Sequence, residues 1–531
     1  MSKSKSALLS SAPACSQLHQ IPAEQSSAQP DGVALWWQGN AVNYATLNHN
    51  VQAAAARLAA QGKPGERIAI LSWNCPAFVE LLYAVPASGR VMVPLNARLA
   101  AAELLYQLQS SGATTLFADP DLLGPLLAHA DFPSGVNVIL LNGDYIDWRQ
   151  SARTADLPLT KPEDPVWILF TSGSTGRPKG AMLTHRSFMA GLQSAALARP
   201  VEPGDKFYYP FPLFHVAAHN VLLQHLYGAA VVLARSFDAA ATIAACRELN
   251  VTTMSLAPTM IALLLDHPEF HPTDLQSVRT IGYGASAMPQ SLLQRLLADT
   301  DVGLCQSYGM TELSGSVAFL TVADHELAAR DKPHLLQSVG KPLPTAQLKL
   351  LDDNGATCAT GEPGEILVQA QQCMDGYWND SAATANTLNH DWLHTGDIGR
   401  FDEEGYLYIV DRKKDMIISG GENVASREVE EVLRQHSAVR DCAVIGLADA
   451  NWGECVCAVI KPDDVISNRE LSDHCRRFLA GYKIPKHWFR VEDLPLNAAG
   501  KVDKPLLRRQ YGAQSSQNTP EKTGARFSDE Y

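Results

Sequence analysis

The sequence has 531 residues, a formal net charge of −13 and a hydrophobic fraction of 46%, which is ordinary for a globular protein. Its length predicts more than one domain, because single hydrophobic cores stop growing at about 250–300 residues. The acidic balance excludes a protein whose main task is to grip nucleic acid or an anionic membrane surface, but it allows a local phosphate site. We therefore expect no nucleic-acid partner.

Apolar segments and cysteines give a prediction about location. No segment has the roughly 20 uninterrupted apolar residues that a membrane-spanning helix needs, since the best candidate, residues 221–234, contains Gln224 and His225. The 10 cysteines include no CxxC pair, which is typical of free thiols in a reducing compartment rather than of a zinc site or a disulfide framework. We expect no integral membrane segment and a cytoplasmic location.

The predicted elements begin with an N-terminal arm, residues 1–28, that we expect to be flexible apart from one short helix. Alternating elements then run to about residue 330, beginning with a helix over 44–61, a strand over 67–71, a helix over 76–87 and a strand over 91–95. Strands that alternate with helices predict mostly parallel sheets covered by helices on both faces.

The pattern changes in the last third of the chain. Between about 340 and 410, short strands such as 347–351 and 365–369 predict a small antiparallel, β-barrel-like unit. Helices and strands return from about residue 427, and the polar residues 512–531 are predicted to be a disordered tail. The predicted fold class is α/β, with a large N-terminal domain over 29–411 built on two mostly parallel, helix-covered sheets plus the β unit. A small, mobile α+β C-terminal domain over 412–511 follows.

A glycine- and hydroxyl-rich loop follows the buried strand 166–170 and reads Thr171-Ser-Gly-Ser-Thr-Gly-Arg-Pro-Lys-Gly180. Glycines let backbone N–H groups turn towards an anion, and a lysine supplies a mobile positive charge. The loop is not a Walker A motif, because Pro178 precedes the lysine and Gly180 follows it. The residues that we expect to bind nucleotide phosphates are Thr171, Ser172, Gly173, Ser174, Thr175, Gly176 and Lys179.

Six further segments accompany the loop in a fixed order. They are Pro212-Leu-Phe-His-Val-Ala217, Tyr283-Gly-Ala-Ser286, Tyr308-Gly-Met-Thr-Glu312, His394-Thr-Gly-Asp397, Asp411-Arg-Lys-Lys-Asp-Met-Ile-Ile-Ser-Gly-Gly421 and Gly500-Lys501. Together these segments resemble the adenylate-forming superfamily, which includes the acyl-CoA synthetases, over about residues 30–510. The resemblance implies a ligase that uses ATP, Mg²⁺ and coenzyme A. A carboxylate would attack the α-phosphorus of ATP, and a thiol would then displace AMP.

The resemblance also implies roles for individual residues. Thr311 is expected to donate to the α-phosphate, Glu312 to hold Mg²⁺, and Lys501 to bridge the substrate carboxylate and the α-phosphate. Lys414 is expected to be the hinge between the domains, and His215 to border and gate the acyl pocket. The residues expected to bind adenine and ribose are Gly284, Ala285, Ser286, Tyr308, Gly309, Asp397 and Arg412. The residues expected to line the coenzyme A tunnel are Ser419, Gly420 and Gly421.

The sequence leaves the thiol acceptor and the acid open. The leading interpretation is an AMP-forming acid–CoA ligase, and Ala425-Ser426, which departs from the family pattern, slightly weakens the case for CoA. One alternative loads the phosphopantetheine of a separate carrier protein, and another is a non-catalytic nucleotide-binding protein of this fold. Small residues such as Ala217 and Gly282 suggest room for a medium- or long-chain fatty acid or an aryl acid. The lack of a basic cluster near His215 disfavours diacids, and the oligomeric state cannot be read from the sequence.

Overall fold

A computed structural model describes residues 15–151, 156–171, 178–284, 288, 290–419, 422–449, 452–497 and 500–515. The chain divides into two compact units. The first unit consists of Met1–Glu362, Ile366–Thr395 and Phe401–Tyr408, and the second of Pro363–Glu365, Gly396–Arg400 and Ile409–Tyr531.

The first unit contains two large sheets and the helices that cover them. Their strands are β1 (Val33–Trp37), β2 (Asn40–Asn43), β3 (Arg67–Leu71), β4 (Val91–Leu95), β5 (Ala113–Ala118), β6 (Asn137–Leu140), β7 (Pro165–Thr171), β8 (Lys179–Thr184), β9 (Lys206–Tyr209), β10 (Ala230–Leu233), β11 (Thr253–Ser255), β12 (Thr280–Gly284), β13 (Gly303–Met310), β14 (Gly315–Leu320) and β15 (Lys341–Pro342). Their helices are α1 (Ile21–Ala28), α2 (Tyr44–Gln61), α3 (Pro76–Ala87), α4 (Ala101–Ser111), α5 (Pro120–Leu127), α6 (Gly143–Gln150), α7 (His185–Ala198), α8 (His219–Leu226), α9 (Ala239–Leu249), α10 (Pro258–Leu265), α11 (Gln290–Asp299) and α12 (Val322–Arg330).

The later elements form two smaller sheets, except that β18 joins the edge of a large sheet. Those up to Arg412 are β16 (Ala346–Leu351), β17 (Gly364–Ala370), β18 (Gly376–Tyr377), α13 (Ser381–Thr387), β19 (Leu388–Asn389), β20 (Trp392–Phe401) and β21 (Leu407–Arg412). The remaining elements are β22 (Ile417–Ser419), β23 (Glu422–Val424), α14 (Ser426–Arg434), β24 (Val439–Asp449), β25 (Gly453–Pro462), α15 (Asn468–Arg476), β26 (His487–Arg490) and α16 (Lys504–Ser515).

The seven-stranded sheet has antiparallel strands at one edge, and the nine-stranded sheet has them at both edges of a parallel centre. The seven-stranded sheet has the order β18-β8-β7-β4-β3-β5-β6, in which β3 to β7 run parallel and β8 and β18 are antiparallel additions. The nine-stranded sheet has the order β15-β14-β13-β12-β11-β9-β10-β1-β2, with β1 and β9 to β13 parallel. Their central strands are buried apolar runs, as parallel strands covered on both faces must be. The predicted α/β fold class is confirmed.

The third sheet has the order β16-β17-β20-β19 with β21 beside β20, and it occupies the region predicted as a β unit. In the second unit, the sheet order is β23-β22-β25-β24 with β26 beside β25. Helix α14 packs its apolar side, including Val429 and Leu433, on strands β24 and β25. The strands predicted over 347–351 and 365–369 correspond to β16 and β17 to within one residue, and helices and strands return after residue 425 as expected.

Two segments differ from the sequence-based expectation. Residues 15–28 of the predicted arm are part of the folded first unit, because Leu18 and Ile21 are buried and the Leu18 N–H donates to His185 Nδ1 at 3.1 Å. No strand was predicted within the glycine-rich loop. Its end forms β8, which pairs with β7 so that Thr171 faces Lys179, and α7 follows.

Buried Asn74 fixes the segment that precedes His215. Its amide Nδ2 donates to the carbonyl oxygens of Phe211 and Ala234 at 2.7 and 2.8 Å, and its Oδ1 accepts from the Leu213 N–H at 2.8 Å. A fully buried amide must find such partners to offset its loss of hydration. The loop 211–213 is therefore anchored to the end of strand β3.

Three buried histidines make the stability of the first unit dependent on pH. Burial lowers the pKa of His185 to about 3 and that of His219 and His225 to about 4. His225 shows why the neutral form is favoured, since Nε2 lies 2.9 Å from the Ala34 carbonyl oxygen and Nδ1 lies 2.8 Å from the Tyr83 hydroxyl. One nitrogen must donate and the other accept.

We predict that the free energy of unfolding falls between pH 7 and pH 5. Each folded-state pKa lies below the unfolded value of about 6.5, so the unfolded state takes up more protons as the pH drops. The expected loss is about 2 kcal/mol per buried histidine at pH 5, measured by urea denaturation. His225→Gln, which keeps a donor and an acceptor, should reduce this loss, and a flat profile in the wild type would contradict the prediction.

Candidate active site

The carboxylate of Glu312 lies where three segments of the first unit meet. Glu312 is only 5% exposed, and its Oε1 accepts from Thr171 Oγ1 at 3.1 Å and from the Tyr377 hydroxyl at 2.9 Å. Its carbonyl oxygen accepts from the Met374 N–H at 2.8 Å. Glu312 thus joins the last residue of β7 to the β13–β14 connection and to strand β18.

The Gln372 side chain holds the short 3₁₀ helix Thr311–Leu313 that carries Glu312. Gln372 Nε2 donates to the carbonyl oxygens of Leu313 and Ser316 at 2.9 and 3.0 Å. Just before it, Gly309 has no room for a side chain, because an added Cβ would lie 2.0 Å from the Gly315 carbonyl oxygen. The predicted pair Thr311 and Glu312 therefore occupies a closely fixed turn at the carboxyl end of β13.

Lys179 and Thr171 stand opposite each other where the glycine-rich loop begins and ends. The Lys179 Nζ lies 5.3 Å from the centre of the Tyr377 ring, the same tyrosine that bonds Glu312. Burial and the Glu312 charge raise the pKa of the Tyr377 hydroxyl, so it stays protonated and able to donate. The loop ends, the carboxylate and the tyrosine thus form one cluster.

Strands β12 and β13 bring the predicted adenine-side residues to the same edge. Gly284 pairs with Ser307, and a Cβ on Gly284 would lie 2.7 Å from the Ser307 carbonyl oxygen. Tyr308 follows Ser307 on β13 and is partly exposed. The loop residues Ser172, Gly173, Ser174, Thr175 and Gly176, together with Ala285, Ser286, Gly420 and Gly421, lie outside the described residues.

His215 and His219 have different surroundings. The His215 ring is partly exposed and packs edge-on against Phe214 at 4.8 Å between ring centres. His219 Nδ1 lies 3.0 Å from the Val216 carbonyl oxygen, and its ring lies 3.6 Å from the position a Cβ on Gly315 would take. Burial lowers the pKa of His219 to about 4, so its ring is neutral at pH 7.

The second unit holds a separate set of predicted residues. The Arg412 Nε lies 2.6 Å from Asp397 Oδ1, and the Asp397 side chain is 4% exposed while that of Arg412 is 44% exposed. Lys501 sits in a turn closed by bonds between its backbone and Asn497. Crowding by protein atoms and the charges of Arg412 and Lys414 lower the pKa of the Lys501 ammonium, although the residue as a whole is exposed and Asp397 opposes the shift.

Helix α16, which follows Lys501, is anchored to the segment around the predicted hinge. The Lys504 Nζ lies 2.6 Å from Ser426 Oγ and 2.7 Å from Glu430 Oε1, and Arg508 Nη2 donates to Asp415 Oδ1 at 2.8 Å. Lys414 itself is exposed in the turn after β21, while Ser419 is buried at the end of β22. The serine that departs from the family pattern therefore has a structural partner in Lys504.

The Glu312 carboxylate offers the kind of oxygen ligand that a magnesium ion prefers. Both bonds to the carboxylate go to Oε1, and no described residue bonds Oε2. Mg²⁺ is usually held by one or two carboxylates plus substrate phosphates. The single oriented carboxylate of Glu312 would therefore be sufficient to hold the ion together with a bound phosphate. Among the described residues no group of three or more His, Cys, Asp or Glu side chains forms a protein-only metal site.

Comparisons with known proteins identify the family. The AMP-binding enzyme profile matches residues 22–378, and the profile of the AMP-binding enzyme C-terminal domain matches residues 428–501. The chain belongs to the AMP-binding enzyme family. The predicted resemblance to adenylate-forming enzymes is thereby confirmed.

Individual relatives span nearly the whole chain. Feruloyl-CoA synthase from Amycolatopsis sp is 36% identical over 502 residues, covering 92% of this chain and 98% of that protein. The fatty acid–[acyl-carrier-protein] ligase ScoC of Streptomyces coeruleorubidus is 33% identical, with coverage of 92% and 95%. The structure of o-succinylbenzoate CoA synthetase from Bacillus subtilis with the acyl-adenylate OSB-AMP has a TM-score of 0.83 at 31% identity, covering 92% of this chain and 98% of that one.

The same Bacillus enzyme has been solved with ATP and magnesium ion, at a TM-score of 0.82. The predictions of an AMP-forming acid–thiol ligase and of ATP, Mg²⁺ and CoA as its substrates are confirmed at the level of the reaction class. No helix within the described ranges is long and apolar enough to cross a membrane.

Tyr377 was missed by the sequence analysis. It is separated from Glu312 by 65 positions and meets it only because β18 pairs with β8. The Asp375-Gly376 dipeptide before an aromatic residue is a weak local signal, because it is also common in ordinary hairpins.

We predict that Tyr377→Phe weakens the use of Mg-ATP more than it lowers the maximal rate. The change removes one of two donors that orient a buried carboxylate, and a hydrogen bond to a charged group contributes about 1.5–3 kcal/mol. The expected result is a roughly 10-fold or larger rise in KM for Mg-ATP, measured by pyrophosphate release. Tyr406→Phe, which removes a hydroxyl bonded to Asp324, serves as control. Equal behaviour of the two variants would contradict the role given to Tyr377.

Proposed function

We propose that the protein joins a fatty or aryl carboxylic acid to coenzyme A in two half-reactions. In the first, a carboxylate oxygen attacks the α-phosphorus of ATP, the bond to the bridging oxygen breaks, and pyrophosphate leaves. In the second, the thiol sulfur attacks the acyl carbon, the bond to the phosphate oxygen breaks, and AMP leaves with a thioester formed. The Glu312 cluster beside the phosphate-binding loop is the observation that carries this proposal.

The first unit supplies groups that bind and orient the nucleotide. Lys179 and Thr171 offer an ammonium and a hydroxyl to the phosphates, and Thr311 offers a hydroxyl to the α-phosphate. Glu312 would hold Mg²⁺, which when bound neutralises phosphate charge. Fixed donors of this kind stabilise charge that develops on phosphoryl oxygens without having to reorganise during the reaction. Tyr308 and Gly284 would line the adenine side.

The second unit supplies the ribose and carboxylate contacts. Asp397 offers acceptor oxygens to the ribose diol, and Arg412, already paired with it, orients the carboxylate. The Lys501 ammonium would hold the attacking carboxylate next to the α-phosphate, which brings two anions together. Lys414 stays the predicted hinge, and Ser419 the described part of the predicted CoA tunnel.

A carrier protein is the one specific alternative to coenzyme A as the thiol that accepts the acyl group. The relative ScoC is named as a ligase for an acyl carrier protein, and it matches this chain over nearly the same range as the CoA synthetases. A phosphopantetheine arm presents the same thiol on a protein, so the adenylation residues would be unchanged. We favour coenzyme A because the other two relatives described above are CoA synthetases. A cytoplasmic location stays a prediction.

Product analysis across a panel of carboxylic acids tests the proposal, with each acid incubated with Mg-ATP with and without coenzyme A. We expect AMP, pyrophosphate and an acyl-CoA thioester for at least one fatty or aryl acid. Pyrophosphate release with an enzyme-bound adenylate but no thioester would favour a carrier-protein acceptor. Formation of ADP and phosphate, or no turnover across the panel, would contradict the proposed function.

We predict that Lys501→Ala separates the two half-reactions. Loss of the ammonium should abolish adenylation, because nothing then offsets repulsion between the carboxylate and the α-phosphate. Thioester formation from supplied acyl-adenylate should continue, since that step does not use the lysine. Lys461→Ala, at an exposed lysine of the same unit that pairs with Asp493, is the control. Equal loss of both half-reactions in the Lys501 variant would refute the assignment.

A further inference from the structure

Arg199, the residue directly after α7, carries a guanidinium that the roles described above do not use. Its Nη1 donates to Ser255 Oγ and its Nη2 to the Met254 carbonyl oxygen, both at 2.6 Å. The guanidinium carbon lies 5.2 Å from the centre of the Phe207 ring. These three contacts fix the plane of the guanidinium, while the residue stays partly exposed.

The positive charge of Arg199 has no ion-pair partner among the carboxylates of the described residues. None of the ion pairs formed by described residues includes it, and Asp205, whose charge acts on it, is bound by both Nη atoms of Arg279 at 3.0 and 2.9 Å. Surrounding protein lowers the pKa of the Arg199 guanidinium. Surrounding a positive charge with protein atoms costs free energy of folding unless a hydrogen-bond acceptor or an opposite charge compensates it. Only two of its five N–H donors are used, which leaves donors for a ligand.

The guanidinium lies on a row of residues across the nine-stranded sheet. Ser255 pairs with Gly282, and Gly282 pairs with Cys305 on the next strand. A Cβ on Gly282 would lie 2.4 Å from Arg199 Nη1, so the guanidinium takes the space above this glycine. The room that Gly282 suggested in the sequence is therefore occupied by a cation.

This row is close to the predicted nucleotide residues. Gly284 lies two positions after Gly282 on β12, on the same face of the sheet and about 7 Å nearer the carboxyl end. In open sheets of parallel strands, ligands bind at the carboxyl ends. The Arg199 guanidinium over Gly282 thus lies two residues further from the carboxyl end of β12 than Gly284, on the same face of the sheet.

Helix α7 sets the distance between Arg199 and the reacting centre. Near its middle, Gly191 approaches the Ser314 carbonyl oxygen, since a Cβ on this glycine would lie 3.1 Å from it. Ser314 directly follows the 3₁₀ helix that carries Thr311 and Glu312. From Gly191 to Arg199 the helix advances by about 12 Å, which is the length of a medium-chain or arylpropenoic acid.

We propose that Arg199 binds an oxygen acceptor at the far end of the acid, so the preferred substrates carry a second carboxylate or a neutral oxygen there. This inference rests on the proposed function and narrows its substrate class. A guanidinium offers a carboxylate two parallel N–H donors and a hydroxyl or carbonyl oxygen at least one. This proposal departs from the expectation against diacids, which considered only the residues near His215, because Arg199 contacts Ser255 on β11 and fills the space over Gly282 on β12.

Matched acids test the inference. One set is 4-methyl-, 4-hydroxy- and 4-carboxycinnamic acid, and the other is octanoic, 8-hydroxyoctanoic and octanedioic acid. Each is assayed by ATP-dependent pyrophosphate release with the wild type, Arg199→Met and Arg199→Lys. Arg247→Met is the control, because Arg247 lies in the last turn of helix α9 and bonds Asp274 rather than residues of this row.

The wild type should use an oxygen-bearing acid at least about 10-fold better in kcat/KM than the methyl-ended acid of the same set, mostly through KM. Arg199→Met should remove this preference while leaving the methyl-ended acid within about 2-fold, and Arg199→Lys should keep part of it. A preference for the carboxylate or for the hydroxyl acid distinguishes the two acceptor chemistries. Turnover without any preference, or an equal loss for all acids in Arg199→Met, overturns this inference alone. No turnover of any acid by the wild type overturns the proposed function as well.

Discussion

The Glu312 carboxylate is the contact on which the candidate site depends. A buried carboxylate must be hydrogen-bonded, and here the donors come from the end of β7 and from β18, which are distant in sequence. One anion therefore fixes the relative positions of Thr171, the Thr311–Glu312 turn and Tyr377. In the proposed function the same bonds would orient the carboxylate towards a divalent cation, so the contact that stabilises the local fold would also prepare the site for Mg-ATP.

The two units contribute different chemistry. The first provides hydroxyl, ammonium and carboxylate groups at the carboxyl ends of parallel strands, where such sheets bind ligands. In the second, Asp397, Arg412 and Lys501 act on one another electrostatically, and α16 is anchored by Lys504 and Arg508. In the proposed function the Lys501 ammonium acts from the end of a short turn, and the contacts of α16 would support that turn.

Most of the fold could be predicted because its signals are local. The helix over 44–61 and the strand over 67–71 were predicted with the bounds of α2 and β3, since periodicity and apolar runs identify such elements. Thr311 and Glu312 lie in one contiguous motif, so their proximity follows directly from the sequence. Tyr377 and Arg199 could not be predicted, because they meet Glu312 and Ser255 only through strand pairing and helix packing. Strand β8 was not predicted, because the glycine-rich sequence before it is typical of a loop and gives no sign that the chain pairs with β7.

In the proposed reaction an acyl-adenylate forms before any thiol takes part. Isotope exchange between pyrophosphate and ATP tests this claim most directly, with a carboxylic acid present and coenzyme A absent. The account predicts exchange that requires the acid and Mg²⁺ and that is lost in Glu312→Ala. Thioester synthesis without acid-dependent exchange in the absence of coenzyme A would contradict it.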